Sequence, residues 1–141
     1  EGGQWVLRHI VSLPRSSRLP CKSLTTLAPK PAAMASDFSI CYITAPEKDA
    51  VRLAQGLVKE KLCACVNITS VTSVYSWEGK IETEPEQLLI AKTRTAVVPQ
   101  LTDYILKNHP YDVPEVISTP LSSQGNSKYL QWLADSVPPC E

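Results

Sequence analysis

The chain has 141 residues, 43% of them apolar, and a formal net charge of zero, which suits one globular domain and leaves no room for two of ordinary size. The neutral sum hides an asymmetry, because residues 1–35 carry five basic side chains against Glu1 alone and residues 36–141 hold the matching excess of acid. An acidic body without a long basic run excludes a groove for nucleic acid, whose affinity rests on neutralising phosphates, and no apolar run is long enough to span a membrane.

Residues 1–35 mix Arg, Ser and Pro with scattered Leu and Val and show no sustained period. That composition reads as a disordered or targeting extension. Met34 offers an alternative start, so the expected location is cytoplasmic, or an organelle where the extension acts as an address. The domain is expected over residues 36–137, followed by a short tail, 138–141.

The run from Phe38 to Thr44 is rich in β-branched and aromatic residues and predicts a strand. Pro46 then stands where a helix starts well, with Glu47 and Asp49 at the positive end of the dipole. Ala50, Leu53, Ala54, Leu57 and Val58 form one apolar helical face that runs to about Lys61. A long strand follows from Cys63 to Trp77. Its apolar parity changes, with Val66 and Ile68 on even positions and Val71, Tyr75 and Trp77 on odd ones, which predicts a bulge or bend near Thr69-Ser70.

Glu78-Gly79 supplies the turn of a long hairpin, since glycine accepts the positive φ such a turn requires. Tyr75 and Trp77 lie two apart and share a face of its first arm. The second arm returns through Lys92-Thr93, with Pro85 marking a break or an exposed edge. A second helix is expected over 97–108, with Pro99 in its first turn and Asn108-His109-Pro110 ending it. Residues 115–120 read as a short strand. After Gly125-Asn126, the spacing of Tyr129, Leu130, Trp132 and Leu133 predicts a terminal helix, closed by Pro138-Pro139.

Strand, helix, strand, strand, helix, strand is the order of an α+β, ferredoxin-like βαββαβ sandwich with helices on one face of an antiparallel sheet and a short C-terminal helix appended. The five cysteines, Cys21, Cys41, Cys63, Cys65 and Cys140, are odd in number. Cys63 and Cys65 are spaced C-x-C, not the C-x-x-C of redox and zinc motifs. Buried thiols in a reducing compartment account for them.

His109 has Tyr111, Asp112 and Glu115 close in sequence, and imidazole with carboxylate or thiolate suits copper or zinc. It equally suits a cap on the helix C-terminus, where a cation is favoured. Cys65 is a soft donor for such an ion or a packed strand residue. Tyr75, Trp77, Glu78 and Lys92 are read as lining a polar pocket or forming an ion pair at an interface. Trp132 and Tyr129 at helical spacing read as core. No G-x-S-x-G, P-loop or H-E-x-x-H pattern occurs, and no third group is spaced to complete a triad with Cys65 and His109, so an enzyme is not expected.

Several stretches, in order, resemble the CutA divalent-cation-tolerance family: 64–67 (ACVN), 72–81 (TSVYSWEGKI), Lys92-Thr93, 109–117 (HPYDVPEVI) and 129–132 (YLQW). The resemblance covers about residues 38–137. Relative to the family, the bend between Asn67 and Tyr75 is one residue short. The resemblance implies a ferredoxin-like fold, a tight homotrimer similar to PII signalling proteins, and binding of copper or another divalent metal ion. It implies His109, Cys65 and Glu115 as metal ligands, with Tyr75, Trp77, Glu78, Lys92, Tyr111 and Trp132 at a pocket or subunit interface. It also leaves a second expectation, a PII-like sensor or scaffold holding a small anionic ligand or a protein partner. In animals that partner role is tied to acetylcholinesterase processing.

Overall fold

In the computed structural model, which describes residues 37–139, β1 (Phe38–Ala45) alternates strictly between half-buried and buried residues, burying Ser39, Cys41, Ile43 and Ala45. α1 (Glu47–Lys59) starts directly after Pro46, with Glu47 and Asp49 in its first turn and Lys59 in its last, and buries Ala50, Leu53, Ala54 and Leu57. β2 (Cys65–Trp77) and β3 (Lys80–Arg94) form the long hairpin. A 3-10 turn, Thr95–Val97, leads into α2 (Val98–Asn108), then β4 (Ile117–Pro120) and α3 (Ser127–Ser136). The proposed extension, 1–35, lies outside the described residues.

The sheet has four strands in the order β2-β3-β1-β4, and all its pairings are antiparallel. α1 and α2 each connect strands that are not neighbours, so each crosses over one strand, as the ferredoxin-like order requires. Both helices lie on the same face, where Leu53, Leu57, Leu101 and Ile105 meet Cys41, Ile43, Leu89 and Ala91 in one buried cluster.

α1 and α2 meet at Gly56, where an added Cβ would lie 1.8 Å from the Tyr104 hydroxyl oxygen. Gly56→Ala therefore forces the phenol aside and is expected to lower stability by about 1–3 kcal/mol, an overpacking cost. A thermal melt of the variant checks it.

One expectation changes, and one alternative is resolved. The β2–β3 register runs without interruption from Cys65↔Lys92 to Trp77↔Lys80, so no bulge occurs near Thr69-Ser70. The apolar residues change parity for another reason. Val66 and Ile68 face the helix layer opposite Ala91 and Leu89, whereas β1 reaches only as far as Gln87. Farther out the hairpin has left the helices behind, and its aromatics Tyr75 and Trp77 continue the opposite face. Of the two alternatives for Pro85 the exposed edge holds: β3 continues through it, past the end of β1, where no strand on that side requires its missing N–H. At the tip both Glu78 (φ 48°) and Gly79 (φ 79°) are left-handed, the backbone of a two-residue type I′ hairpin.

Candidate functional site

The face of the sheet turned away from α1 and α2 carries Ile40 and Tyr42 from β1, Leu88, Ile90 and Lys92 from β3, and Cys65 and Asn67 from β2, as the register dictates. Most of these are half-buried in the single chain. α3 covers only one end of this face. It is held there by Arg94, whose Nε donates to the Val137 carbonyl at 2.6 Å and whose Nη2 donates to that of Ala134 at 2.8 Å. Leu133 and Val137 are fully buried beside it. Trp132, read from sequence as core, is 45% exposed, and Tyr129 is 42% exposed with its ring 5.2 Å from that of Trp132. On a ten-residue helix only one stripe is covered, and Leu133 takes it.

Between α3 and the sheet lies a cavity of about 450 Å³ lined by Ile40, Lys92, Leu121, Asn126, Tyr129 and Leu130 among others. Lys92 Nζ donates to Asn67 Oδ1 and approaches Cys65 Sγ at 3.7 Å. The Tyr129 hydroxyl lies near Cys65, and its acidity is weakened first by burial and then by that thiol. Within one chain Lys92 thus answers to an amide and a sulfur. Glu78 is at the far tip of the hairpin, 14 residues from Lys92 in sequence.

His109 sits at the other end. It follows α2 as a C-cap, as the capping alternative has it, but it does so as a neutral ring. Nε2 donates to the Thr44 carbonyl at 2.9 Å, and Nδ1 accepts from the Tyr111 backbone N–H at 3.1 Å. Those two bonds define the Nε2–H tautomer and leave no lone pair free for a metal. Burial lowers the pKa of the ring, against upward pulls from the Thr44 hydrogen bond, Asp49 and Glu86.

The structure does not bring His109, Cys65 and Glu115 together in one chain. Thr44 pairs with Leu88 and Cys65 with Lys92, four residues apart along β3, or about 13 Å at the rise of a strand. Glu115 is exposed ahead of β4. Among the described residues no group of three His, Cys, Asp or Glu side chains is placed to hold a metal ion. Of the described thiols, burial pushes Cys41 up to about 11 and Cys63 up to about 12. Both are protonated at neutral pH and poor ligands. Cys65, half-buried on the open face, is the accessible one.

Sequence reasoning missed Glu86 and Ser73. Glu86 is only 7% exposed and accepts from Ser73 Oγ at 2.6 Å, and the nearby Tyr111 hydroxyl is pushed up to about 12, first by burial and then by the Glu86 charge. Their signal was the register, which places residues 73 and 86 on the same face of adjacent strands. Among the described residues, no helix is long and apolar enough to cross a membrane.

This geometry has known counterparts. A solved crystal structure of CutA1 from Oryza sativa is 45% identical and superposes with a TM-score of 0.71, over 75% of this chain and 98% of that one. The apo form of a PII-like protein CutA from Nostoc is 30% identical with a TM-score of 0.68, over 71% and 97%. A curated rice relative, Protein CutA 1, chloroplastic, is 51% identical over 100 residues, which is 70% of this chain; the chain spans 56% of that relative's own length. The profile of the family described as CutA1 divalent ion tolerance protein matches residues 39–136, from β1 through α3. With that match running from the first strand to the last helix, the chain belongs to the CutA1 divalent ion tolerance family.

Proposed function

We propose that the chain works as a homotrimer that binds copper-type divalent ions without catalysing a reaction, with Cys65 as the soft ligand and the rest of the ligand set supplied by neighbouring copies. The observation behind this is the dispersal of donors: a family described by divalent ion tolerance has, in one copy of this chain, no three-donor cluster among the described residues. Cys65 lies on a half-buried apolar sheet face that α3 only partly covers. Such a face gains stability from burial against further copies. Thiolate is a donor that copper prefers. His109 is left out of this ligand set because both its ring nitrogens are engaged within its own chain. The rice relative's name places that protein in the chloroplast, and the basic residues 1–35 are compatible with an organelle address as well as with a cytoplasmic protein.

Copper titration by calorimetry on wild type, Cys65→Ser and His109→Gln tests this. Wild type and His109→Gln are expected to bind at one ratio per trimer, while Cys65→Ser loses at least about tenfold in affinity, as loss of a soft first ligand implies. Equal binding by wild type and Cys65→Ser would contradict it. A second reading, a PII-like sensor for a small anionic ligand, is favoured by one feature, the cavity beside Lys92. An organic anion that stabilises wild type but not Lys92→Ala, in metal-free buffer, would favour that reading.

A further inference from the structure

The cavity between α3 and the open sheet face is walled by a single chain, with Ile40 and Lys92 from the sheet, Leu121 from just after β4, and Tyr129 and Leu130 from α3. Among the described residues Lys92 is the one charged group in these walls. The register puts it there: Lys92 stands across from Ile40 on β1 and from Cys65 on β2, on the face that α1 and α2 do not cover. The side chain is half-buried. An ammonium taken partly out of water beside apolar walls is unfavourable unless its donors and its charge are both answered.

An ammonium has three N–H donors. Lys92 directs one to Asn67 Oδ1 and one toward Cys65 Sγ at 3.7 Å, which leaves one donor unspent within the chain. Its charge is unspent as well. Among the described residues the ion pair that forms is Arg52 with Asp49, both on α1, and no carboxylate reaches Lys92. The amide and the sulfur offer partial charges only.

We infer that this cavity takes a small organic monoanion, a carboxylate on an apolar body of about one ring, with the carboxylate on Lys92 and the body against Ile40, Leu121 and Leu130. This ligand class rests on the anion reading of the cavity given above and narrows it. The volume of about 450 Å³ is that of a small-molecule site, and apolar walls with few polar groups are the usual lining of one. The Ser122 hydroxyl, in the same lining, accepts from the Gln124 N–H at 3.2 Å and keeps its own proton for a second bond.

Phosphates fit the same walls poorly. A phosphate or polyphosphate calls for several cations, a bidentate arginine or a fan of free backbone N–H groups, and here there is one cation and no arginine. The Lys128 N–H, in the first turn of α3, is already taken by Asn126 Oδ1 at 3.1 Å. A neutral apolar ligand would fill the space but leave the ammonium unanswered.

The test uses the full chain in metal-free buffer, with phenylacetate as the probe and binding followed by NMR shifts. Phenylacetamide, acetate, inorganic phosphate and ATP are the comparisons. Phenylacetate is expected to saturate one site per chain and to move the methyl signals of Ile40, Leu121 and Leu130, while those of Leu53 and Leu101 under α1 and α2 stay in place. Phenylacetamide, which keeps the body and loses the charge, should bind about ten- to a hundredfold more weakly, the range for one charge-assisted hydrogen bond. Lys92→Met should weaken phenylacetate by a similar factor. Acetate should be weaker by at least about tenfold, because it buries no ring.

Equal binding of acid and amide, or a phenylacetate site that Lys92→Met leaves unchanged, would overturn the pairing with Lys92. Phosphate or ATP binding more tightly than phenylacetate, and losing that affinity in Lys92→Met, would overturn the monoanion class while the anion reading stands. Absence of binding by every anion up to about 10 mM, near the floor for a ligand of this size, would overturn both. Should Lys92→Met fail to fold, the acid-to-amide ratio in wild type decides: about ten or more supports the class, and a ratio near one rejects it.

Discussion

Leu89→Ala is expected to destabilise the folded chain by about 2–5 kcal/mol, a cost that combines lost transfer energy with an unfilled cavity. Leu89 is fully buried at the centre of β3, facing the helix layer, and pairs with Ile43 on β1 and Ile68 on β2. It belongs to the single cluster that joins α1, α2 and the sheet, and the ladder on both sides restrains the strand from collapsing into the space. Urea unfolding at a fixed protein concentration, so that any association acts equally on wild type and variant, checks it. A loss under about 1 kcal/mol would show that the site relaxes far more than a two-sided strand should.

Arg94→Ala has the second large effect. The guanidinium donates to two carbonyls at the C-terminal end of α3, 2.6 Å from Val137 O and 2.8 Å from Ala134 O, and lies 5.7 Å from the centre of the Phe38 ring. A cation in this place both satisfies orphan carbonyls and complements the negative end of the helix dipole. Its removal is expected to cost about 2–4 kcal/mol, the order for two charge-assisted bonds that are not fully additive. The change should concentrate in α3: near-ultraviolet signal from Trp132 should shift and the helix should become protease-sensitive, while α1 and α2 remain intact. Arg94→Lys should recover little, since an ammonium does not reach two carbonyls as a planar fork does. Because α3 places Tyr129 near Cys65, the Arg94→Ala thiol should also react faster with a maleimide.

Much of this architecture is legible in the chain's own pattern. β1 shows its alternation, α1 and α2 show an apolar stripe bounded by Pro46 and by His109-Pro110, and Glu78-Gly79 marks the hairpin turn. The hairpin parity was harder. A change of apolar face along Cys65–Trp77 has two physical causes, a bulge or a strand outrunning its covering layer, and only the end of β1 at Ala45 distinguishes them. In sequence His109 stands beside Tyr111, Asp112 and Glu115, but one of its two partners is a backbone carbonyl 65 residues away. A carbonyl has no residue type to search for. Lys92 with Cys65 and Asn67 is the reverse case, since the pairing follows from the hairpin register once the turn is placed correctly.

The measurement that bears most directly on the central claim is native mass spectrometry of the full chain with increasing copper(II). A trimer that takes up copper in a discrete step, with Cys65→Ser remaining trimeric and taking up none in that step, is the predicted result. A monomer, or a monomer that binds copper as tightly as any trimer present, would contradict a site completed between copies.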